Sequence, residues 1–360
     1  MAELKTTPLS QWHRDNGGRM VPFAGFDMPV QYEGILAEHL HTRTKASVFD
    51  ICHMGEFKLW GSGAREALSG IVTHNLATLG PGRCRYGYLL NERGGVIDDL
   101  IIYCLSDGEY MLVVNGARAA VDFECIAARL PQDLNFQDVS DSMAKIDVQG
   151  PQSCDVVAAV TGVPCKSIPY FGFKRDEFMA DTLLVSRTGY TGELGYELYC
   201  RAERAQALWT ALLADERVKP AGLGARDTLR LEMGLPLYGQ DLDEDHTPAE
   251  AGGAPFLKSE ADYVGKAHAF DVRERLVPLA LEGRRSARHD DAVHLPSGER
   301  VGRVTSGSFG PSLGHAVALA YIDAAHAEAE AFVIHTGRAE LAARRVDLPF
   351  YKDGTVRMKL

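Results

Sequence analysis

No apolar run in the 360-residue chain approaches the ~18–20 residues needed to cross a bilayer. The opening Met-Ala-Glu-Leu-Lys-Thr-Thr-Pro also lacks the apolar core of a signal peptide. A soluble, cytoplasmic protein with no membrane association is therefore expected. Positive charge is scarce as well: 38 Lys and Arg stand against 49 Asp and Glu, a formal net charge of −11. That balance argues against general nucleic-acid binding, which needs clustered Lys and Arg for the phosphates. It leaves room for one local basic pocket facing a small anion. Cysteine pairing is missing too. The seven cysteines are odd in number and contain no C-x-x-C, so neither a disulfide framework nor a structural zinc site is favoured. His39 and His41 form an H-x-H pair, but no further ligand is placed by spacing, and no metal is expected. There is no G-x-S-x-G elbow, and Gly265-Lys266 lacks the upstream glycine and following Ser/Thr of a phosphate loop. A hydrolase built on Asp98 or Asp99 with His53 would need an activated Ser or Cys that the sequence does not supply.

What is present reads as an ordinary globular protein, 46% hydrophobic and 24% charged, long enough for two or three domains. The first fifty residues read as a short helix, a Gly/Pro-rich turn region and a second helix over 34–45 with Ile35, Leu36 and Leu40 on its apolar face. A strand is predicted over 48–60. The apolar runs 96–105 and 110–115, separated by Ser-Asp-Gly-Glu, read as a hairpin. A helix at 117–130 and a strand at 143–149 follow, then a helix at 152–160, a strand pair over 182–200 and helices at 203–214 and after Gly224. Residues 241–262 are acidic and Gly/Pro-rich, a long connection. From 276 to 349, short alternating runs with Gly and Pro turns suggest a small all-β domain. The order is α+β, not a doubly wound parallel sheet.

Three segments carry candidate chemistry. In Gly94-Gly95-Val96-Ile97-Asp98-Asp99-Leu100, two carboxylates interrupt a strand whose interior is costly for charge. Alternation sends them to opposite faces. Either both cap loop amides at the turn, or one enters a cavity as a single positioned acid. In Arg187-Thr188-Gly189-Tyr190-Thr191-Gly192-Glu193-Leu194-Gly195-Tyr196-Glu197, glycines permit close backbone approach and Tyr190 offers a flat ring. Glu193 and Glu197, four apart in an extended segment, offer carboxylates suited to an amidine-like edge. The alternative is a glycine-rich hairpin with exposed acids. In Gly222-Leu223-Gly224-Ala225-Arg226-Asp227, the third glycine of a G-x-G-x-x-G is replaced, so a nicotinamide or flavin dinucleotide fingerprint is poor. Arg226 at a helix start suits an anionic or carbonyl-rich ligand, or a structural pairing with an acid.

The order of these segments closely resembles the T-protein family of the glycine cleavage system. Asp50-Ile51-Cys52-His53-Met54-Gly55-Glu56 precedes them, Tyr238-Gly239-Gln240-Asp241-Leu242 follows, and Thr305-Ser306-Gly307-Ser308-Phe309-Gly310-Pro311 lies near the end. The likeness covers essentially the whole chain. Cys52 stands where the family usually has Ser, and Phe26 where a Trp is common.

The resemblance implies three domains in a clover leaf around a central folate cavity: residues 1–50 with 140–245, an inserted α+β part at 51–139, a connection at 246–275 and a β-barrel at 276–360. It implies an aminomethyltransferase that passes a one-carbon unit from an aminomethyl-lipoyl arm on the H-protein to tetrahydrofolate. The products are 5,10-methylene-tetrahydrofolate, ammonia and dihydrolipoyl H-protein, with no metal, flavin or nicotinamide required. By motif, Asp99 is the acid near the reacting nitrogens, taking a proton or only orienting folate. Glu197 and Tyr190 hold the pterin and Arg226 binds folate. Tyr86, Met54, and Tyr170 or Phe171 line the cavity, with Arg357 a further folate contact. The nearest alternative is a tetrahydrofolate-dependent methyltransferase or demethylase of the same superfamily acting on a small methylated donor. A folate-binding module supporting RNA modification is a different class, whose Lys-Gly-Cys-Tyr signature is absent.

Overall fold

The run Met-Ala-Lys-Ile-Asp-Val-Gln alternates apolar and polar residues, the period of a strand. In the computed structural model, which describes residues 3–360, it is the strand Met143–Gln149. Its neighbours are Gly195–Arg201 on one side and Ala46–Asp50 on the other, within a six-stranded sheet. Phe173–Phe178 and Asp181–Ser186 extend one edge; Val218–Pro220 ends the other as the single parallel partner. Ala144, Ile146 and Val148 enter a core with Leu208, Trp209 and Leu212 of the helix Ala205–Leu213. Lys145, Asp147 and Gln149 point the other way and are still buried. Burying three polar side chains on one face is costly unless each finds a partner, which marks this face as special.

A second sheet of five strands, ordered Arg83–Leu90, Val96–Ser106, Glu109–Val114, Gly55–Trp60 and Asn135–Asp138, lies within the stretch between Ala46–Asp50 and Met143–Gln149. One face packs Phe57, Leu59, Leu100, Ile102, Leu112 and Val114 against Ile126 and its helix, Ala119–Ala127. The other face contributes Tyr103, Met111 and Val113 to an apolar layer shared with Phe173, Leu184 and Tyr199 of the first sheet. The two sheets therefore face each other through these side chains.

The all-β expectation for the last part is met by a closed barrel: Glu274–Leu281, Ala316–Asp323, Arg300–Phe309, Ala292–His294, Ala331–His335 and Glu340–Arg345. In Ala316–Asp323 the even positions fill the barrel, while Val317 and Leu319 pack outward on Leu231 of the helix Leu223–Glu232. Buried Arg230 from that helix bonds Asp241 (2.7 Å) and Ser306 (2.9 Å), fastening the barrel to the first sheet's helix. Beyond Arg345 the chain returns to the first sheet. The Val356 N–H donates to the Gly192 carbonyl (3.0 Å), and Thr355 bonds Glu193. Met1 and Ala2, with which the expected first segment opens, lie outside the described residues. No helix among the described residues is long and apolar enough to cross a membrane.

Three local expectations are corrected. The strand expected over 48–60 is two strands in different sheets, Ala46–Asp50 and Gly55–Trp60. The break is built by Asp50, whose Oδ1 accepts the Cys52 N–H (2.9 Å) to turn the chain at Ile51–Met54. The turn region before the second helix is a hairpin, Arg19–Phe23 with Phe26–Gln31. Pro22 and Pro29 disguised it, but they are tolerated in a two-stranded ribbon. The helix Ile35–Thr44 does not bury the expected Leu36 and Leu40, which are 50% and 42% exposed. It buries Glu38, His39, Thr42 and Arg43, because its inner face meets a polar junction. There Arg43 bonds Glu193 and Glu232 (both 2.9 Å), and His39 bonds Thr228 (2.8 Å) and Ser312 (2.9 Å).

Candidate active site

The strand Val96–Ser106 separates its two acids as alternation requires. Asp98 turns into the second sheet's own core, with no exposed surface, and accepts the backbone N–H of Asn115 (2.9 Å). Asp98 is thus the amide cap. Asp99 faces the first sheet. Its Oδ2 accepts from the Tyr86 hydroxyl (3.0 Å) and its Oδ1 from the Asn115 side-chain amide (2.9 Å). Tyr86 reaches it because Arg83–Leu90 pairs alongside, with Tyr88 directly opposite Asp99. Burial raises Asp99 to about 6, with the Tyr86 and Asn115 hydrogen bonds opposing the rise. The acid therefore changes protonation state close to neutrality.

Glu197 lies on the first sheet, directly across from Asp147. Its Oε1 is 3.1 Å from the Lys145 ammonium, and its Oε2 accepts from Thr188 (2.8 Å), Tyr199 (3.0 Å) and Tyr103 (3.1 Å). Tyr103 comes from the second sheet, so this acid is gripped from both. Burial alone would raise Glu197; Lys145 and the Thr188 hydroxyl outweigh it and hold the group below the usual glutamate value. Its ionised form is favoured, with Oε1 the less crowded oxygen. Glu193, the other acid of this segment, is structural, held by Arg43 and Thr355.

Tyr190 and Arg226 come together, the guanidinium 5.0 Å over the ring centroid. Arg226 donates from Nη1 to Asp147 (2.8 Å). Burial, then the Glu197 charge, raises Asp147 to about 6 despite Arg226. The Tyr190 hydroxyl donates to the Pro236 carbonyl and stands within electrostatic range of Asp99, which ties this cluster to the other sheet's acid. The glycines around Tyr190 and Arg226 make room for protein, not ligand. A Cβ on Gly189 or Gly195 would lie 2.2 Å from the Gln149 amide, one on Gly192 2.3 Å from Met233, and one on Gly222 2.4 Å from Val30 backbone. The Gly222 N–H at the helix start is likewise taken by Glu38 (2.8 Å), so the helix terminus offers that amide to no anion.

Met54 meets the Lys145 ammonium at 3.4 Å through its sulfur and joins the inter-sheet layer together with Phe171. Tyr170 packs edge-on to Phe171 (4.8 Å) and feels the charge of Arg357 from the returning tail. Phe171 has φ of +55°, a costly conformation for an aromatic residue, fixed by its N–H on the Arg187 carbonyl and its carbonyl on the Cys84 N–H. Six of the nine residues singled out from the sequence fall into three neighbouring pairs: Asp99 with Tyr86, Glu197 with Met54, and Tyr190 with Arg226. Tyr170, Phe171 and Arg357 stand at the tail side.

Sequence reasoning missed Lys145, Asp147, Asn115, Tyr103 and Tyr199. The signal for two of them was available in Ala-Lys-Ile-Asp-Val-Gln, a strand whose polar alternate positions also prove buried. His53 and Glu56, noted in the sequence only within the Asp50–Glu56 motif and, for His53, a rejected hydrolase reading, lie on the same side. His53 is buried, with Nδ1 lacking a partner among the described residues, and burial lowers it to about 4. Glu56 is buried, with Oε1 lacking a partner among the described residues, and burial raises it to about 8. Both are neutral at pH 7. For Glu56 the folded value lies above the ordinary 4.5, so unfolding releases a proton and its stability contribution is lost as pH rises through about 4.5 to 8. Glu56→Gln is accordingly expected to melt close to the parent near pH 5 and above it near pH 8. Melting curves with the same gap at both pH values would contradict a buried neutral acid.

Comparison with known proteins bears on the family and the fold. Residues 9–260 match the GCVT N-terminal domain and residues 274–352 the glycine cleavage T-protein C-terminal barrel domain. An aminomethyltransferase of Flavobacterium psychrophilum is 37% identical over 359 residues, covering 97% of this chain and 100% of that one. One from a Synechococcus species is 43% identical over 356 residues, covering 96% and 98%. The crystal structure of glycine cleavage system aminomethyltransferase T from Bartonella henselae superposes with a TM-score of 0.92 at 34% identity, over 98% of this chain and 99% of that one. With both domains matched in order, and with a likeness that runs the length of each relative, the chain belongs to the glycine cleavage T-protein family of aminomethyltransferases.

Proposed function

We propose that this aminomethyltransferase takes its one-carbon unit from an aminomethyl-lipoyl H-protein and gives it to tetrahydrofolate held between the two sheets. The observation that carries this reading is two acids on facing sheets, Asp99 half-buried and Glu197 buried, with opposite tuning. Asp99 is raised to about 6, while Glu197 is held below its ordinary value. Environments that push two acids apart assign them different roles. Glu197, with its ionised form favoured, suits the paired N–H edge of a pterin. Tyr190 and Arg226 suit the flat ring and the carbonyl-rich, anionic remainder, and Arg357 faces the tail side.

The transfer breaks the S–CH₂ and CH₂–N bonds of the aminomethyl thioether and forms two bonds from that carbon to the folate nitrogens. The two N–H protons given up by folate end on the lipoyl sulfur and on ammonia. Asp99 holds a folate nitrogen in line with the carbon and accepts its proton. Tyr86 and Asn115 keep the carboxylate oriented. No step calls on a metal, a flavin or a nicotinamide. A cytoplasmic setting belongs to this reading; the seven cysteines are all unpaired.

The test is an assay with aminomethylated H-protein. Ammonia release that depends on tetrahydrofolate, with 5,10-methylene-tetrahydrofolate formed in equal amount, is the expected result. A protein that binds folate yet releases no ammonia would overturn the reading in favour of a methyl donor.

A further inference from the structure

Beside Asp99 lies an acidic pair that the proposed chemistry leaves unused. Asp98 is fully buried on the opposite face of the strand. Asp122, on the helix Ala119–Ala127, is also fully buried and lies within hydrogen-bond reach of Asp98. No N–H or hydroxyl donor among the described residues meets either Asp122 oxygen. An ionised carboxylate so placed is costly, and two facing carboxyls are satisfied only by a proton between them. Burial raises both, Asp122 to about 7, and the Asp122 charge pushes Asp98 up further.

The other groups facing the pair do not replace that proton. Asp99 is itself an acid. Arg118, at the helix start, donates to the Ile97 carbonyl (3.0 Å) and to Glu244 of the connection (2.6 Å), and lies over the Tyr238 ring. Its charge is engaged there.

Asn115 links the pair to the reacting acid. Its N–H donates to Asp98 Oδ2, and its Nδ2 to Asp98 Oδ1 and Asp99 Oδ1, all at 2.9 Å. A flipped amide would set its oxygen against those of Asp98 and Asp99, so the orientation is fixed by acceptors on both sides.

We infer that Asp98 and Asp122 share a proton and together lock the Asn115 amide, which thereby positions Asp99 and favours its ionised form. These three are positioning residues, and the inference rests on Asp99 being the reacting acid.

Asp98→Asn offers one oxygen where Asn115 needs two acceptors. Its kcat is expected to fall about tenfold with KM for tetrahydrofolate within ~threefold, and the acid limb of the kcat profile to move up by about one pH unit. Asn115→Ala, at a half-buried position, is expected to show the same shift and covers the case in which Asp98→Asn does not fold. Asp122→Leu should lose activity in the same manner, and Asp122→Asn, which still offers Asp98 a donor, should recover most of it. An acid limb that stays in place in folded Asp98→Asn or Asn115→Ala overturns the inference, as does an Asp122→Asn enzyme no better than Asp122→Leu. Those outcomes, with Asp99→Asn inactive, remove the positioning role alone; normal turnover in Asp99→Asn removes the reading beneath it.

Discussion

Asp99→Asn is expected to lower kcat by roughly 10²–10⁴-fold while tetrahydrofolate still binds within a few-fold of the parent, the range typical of losing a positioned acid or base. The substitution keeps the shape of the side chain and one acceptor, so Tyr86 or Asn115 can still hold it. What it removes is the site that takes a proton. The pH dependence follows from the raised value: below about 6 the parent carboxyl is protonated and cannot accept, so kcat falls as pH drops through about 6 and levels above it. The asparagine enzyme lacks that limb. Steady-state rates across pH with folate binding by titration decide the matter. An asparagine enzyme with parental turnover removes Asp99 from the chemistry. One that loses folate affinity and keeps kcat assigns it to binding instead.

Lys145→Met is expected to cost about 3–5 kcal/mol of stability, because it strands a buried carboxylate. Lys145 is 2% exposed and Glu197 3%, and the ammonium is the cation on Glu197 at hydrogen-bond distance. Without it, three hydroxyls must hold a charge in an apolar layer, and Glu197 takes up a proton at higher pH. Tetrahydrofolate affinity is expected to fall along with stability, since a protonated glutamic acid no longer accepts two N–H bonds. The double variant Lys145→Met/Glu197→Gln separates the two effects. It buries no unpaired charge, so urea unfolding should show much of the lost stability restored, while folate binding stays weak. A single Lys145→Met variant as stable as the parent would show that the pair is not the anchor described.

Much of the fold is legible from one dimension. The hairpin 96–114, the helix and strand after it and the β-rich end follow from period and turn chemistry, which are local properties. Alternation by itself separates Asp98 from Asp99. The helix Ile35–Thr44 shows where that reasoning fails. Its leucines implied one buried face, but the surface it meets is Glu193, Thr228 and Glu232 from distant segments, so its polar face is the one that packs. The strand break at Asp50 is equally invisible, because the residues that hold Asp50, Thr7 and His13, lie about forty positions away.

The site divides along the same line. Sequence order by itself determined the family likeness and the residues with chemistry to offer, Asp99, Glu197, Tyr190 and Arg226 among them, because motif order and side-chain type are carried by the chain directly. Only the tertiary structure decided what those residues are. Glu197 is an anion because Lys145, fifty-two positions earlier, pairs with it. Asp99 titrates near neutrality because burial and two hydrogen bonds oppose each other there. Gly189 and Gly195 are glycines because Gln149 passes between them. A pKa and a close approach are sums over spatial neighbours, and a chain read end to end does not say who the neighbours are.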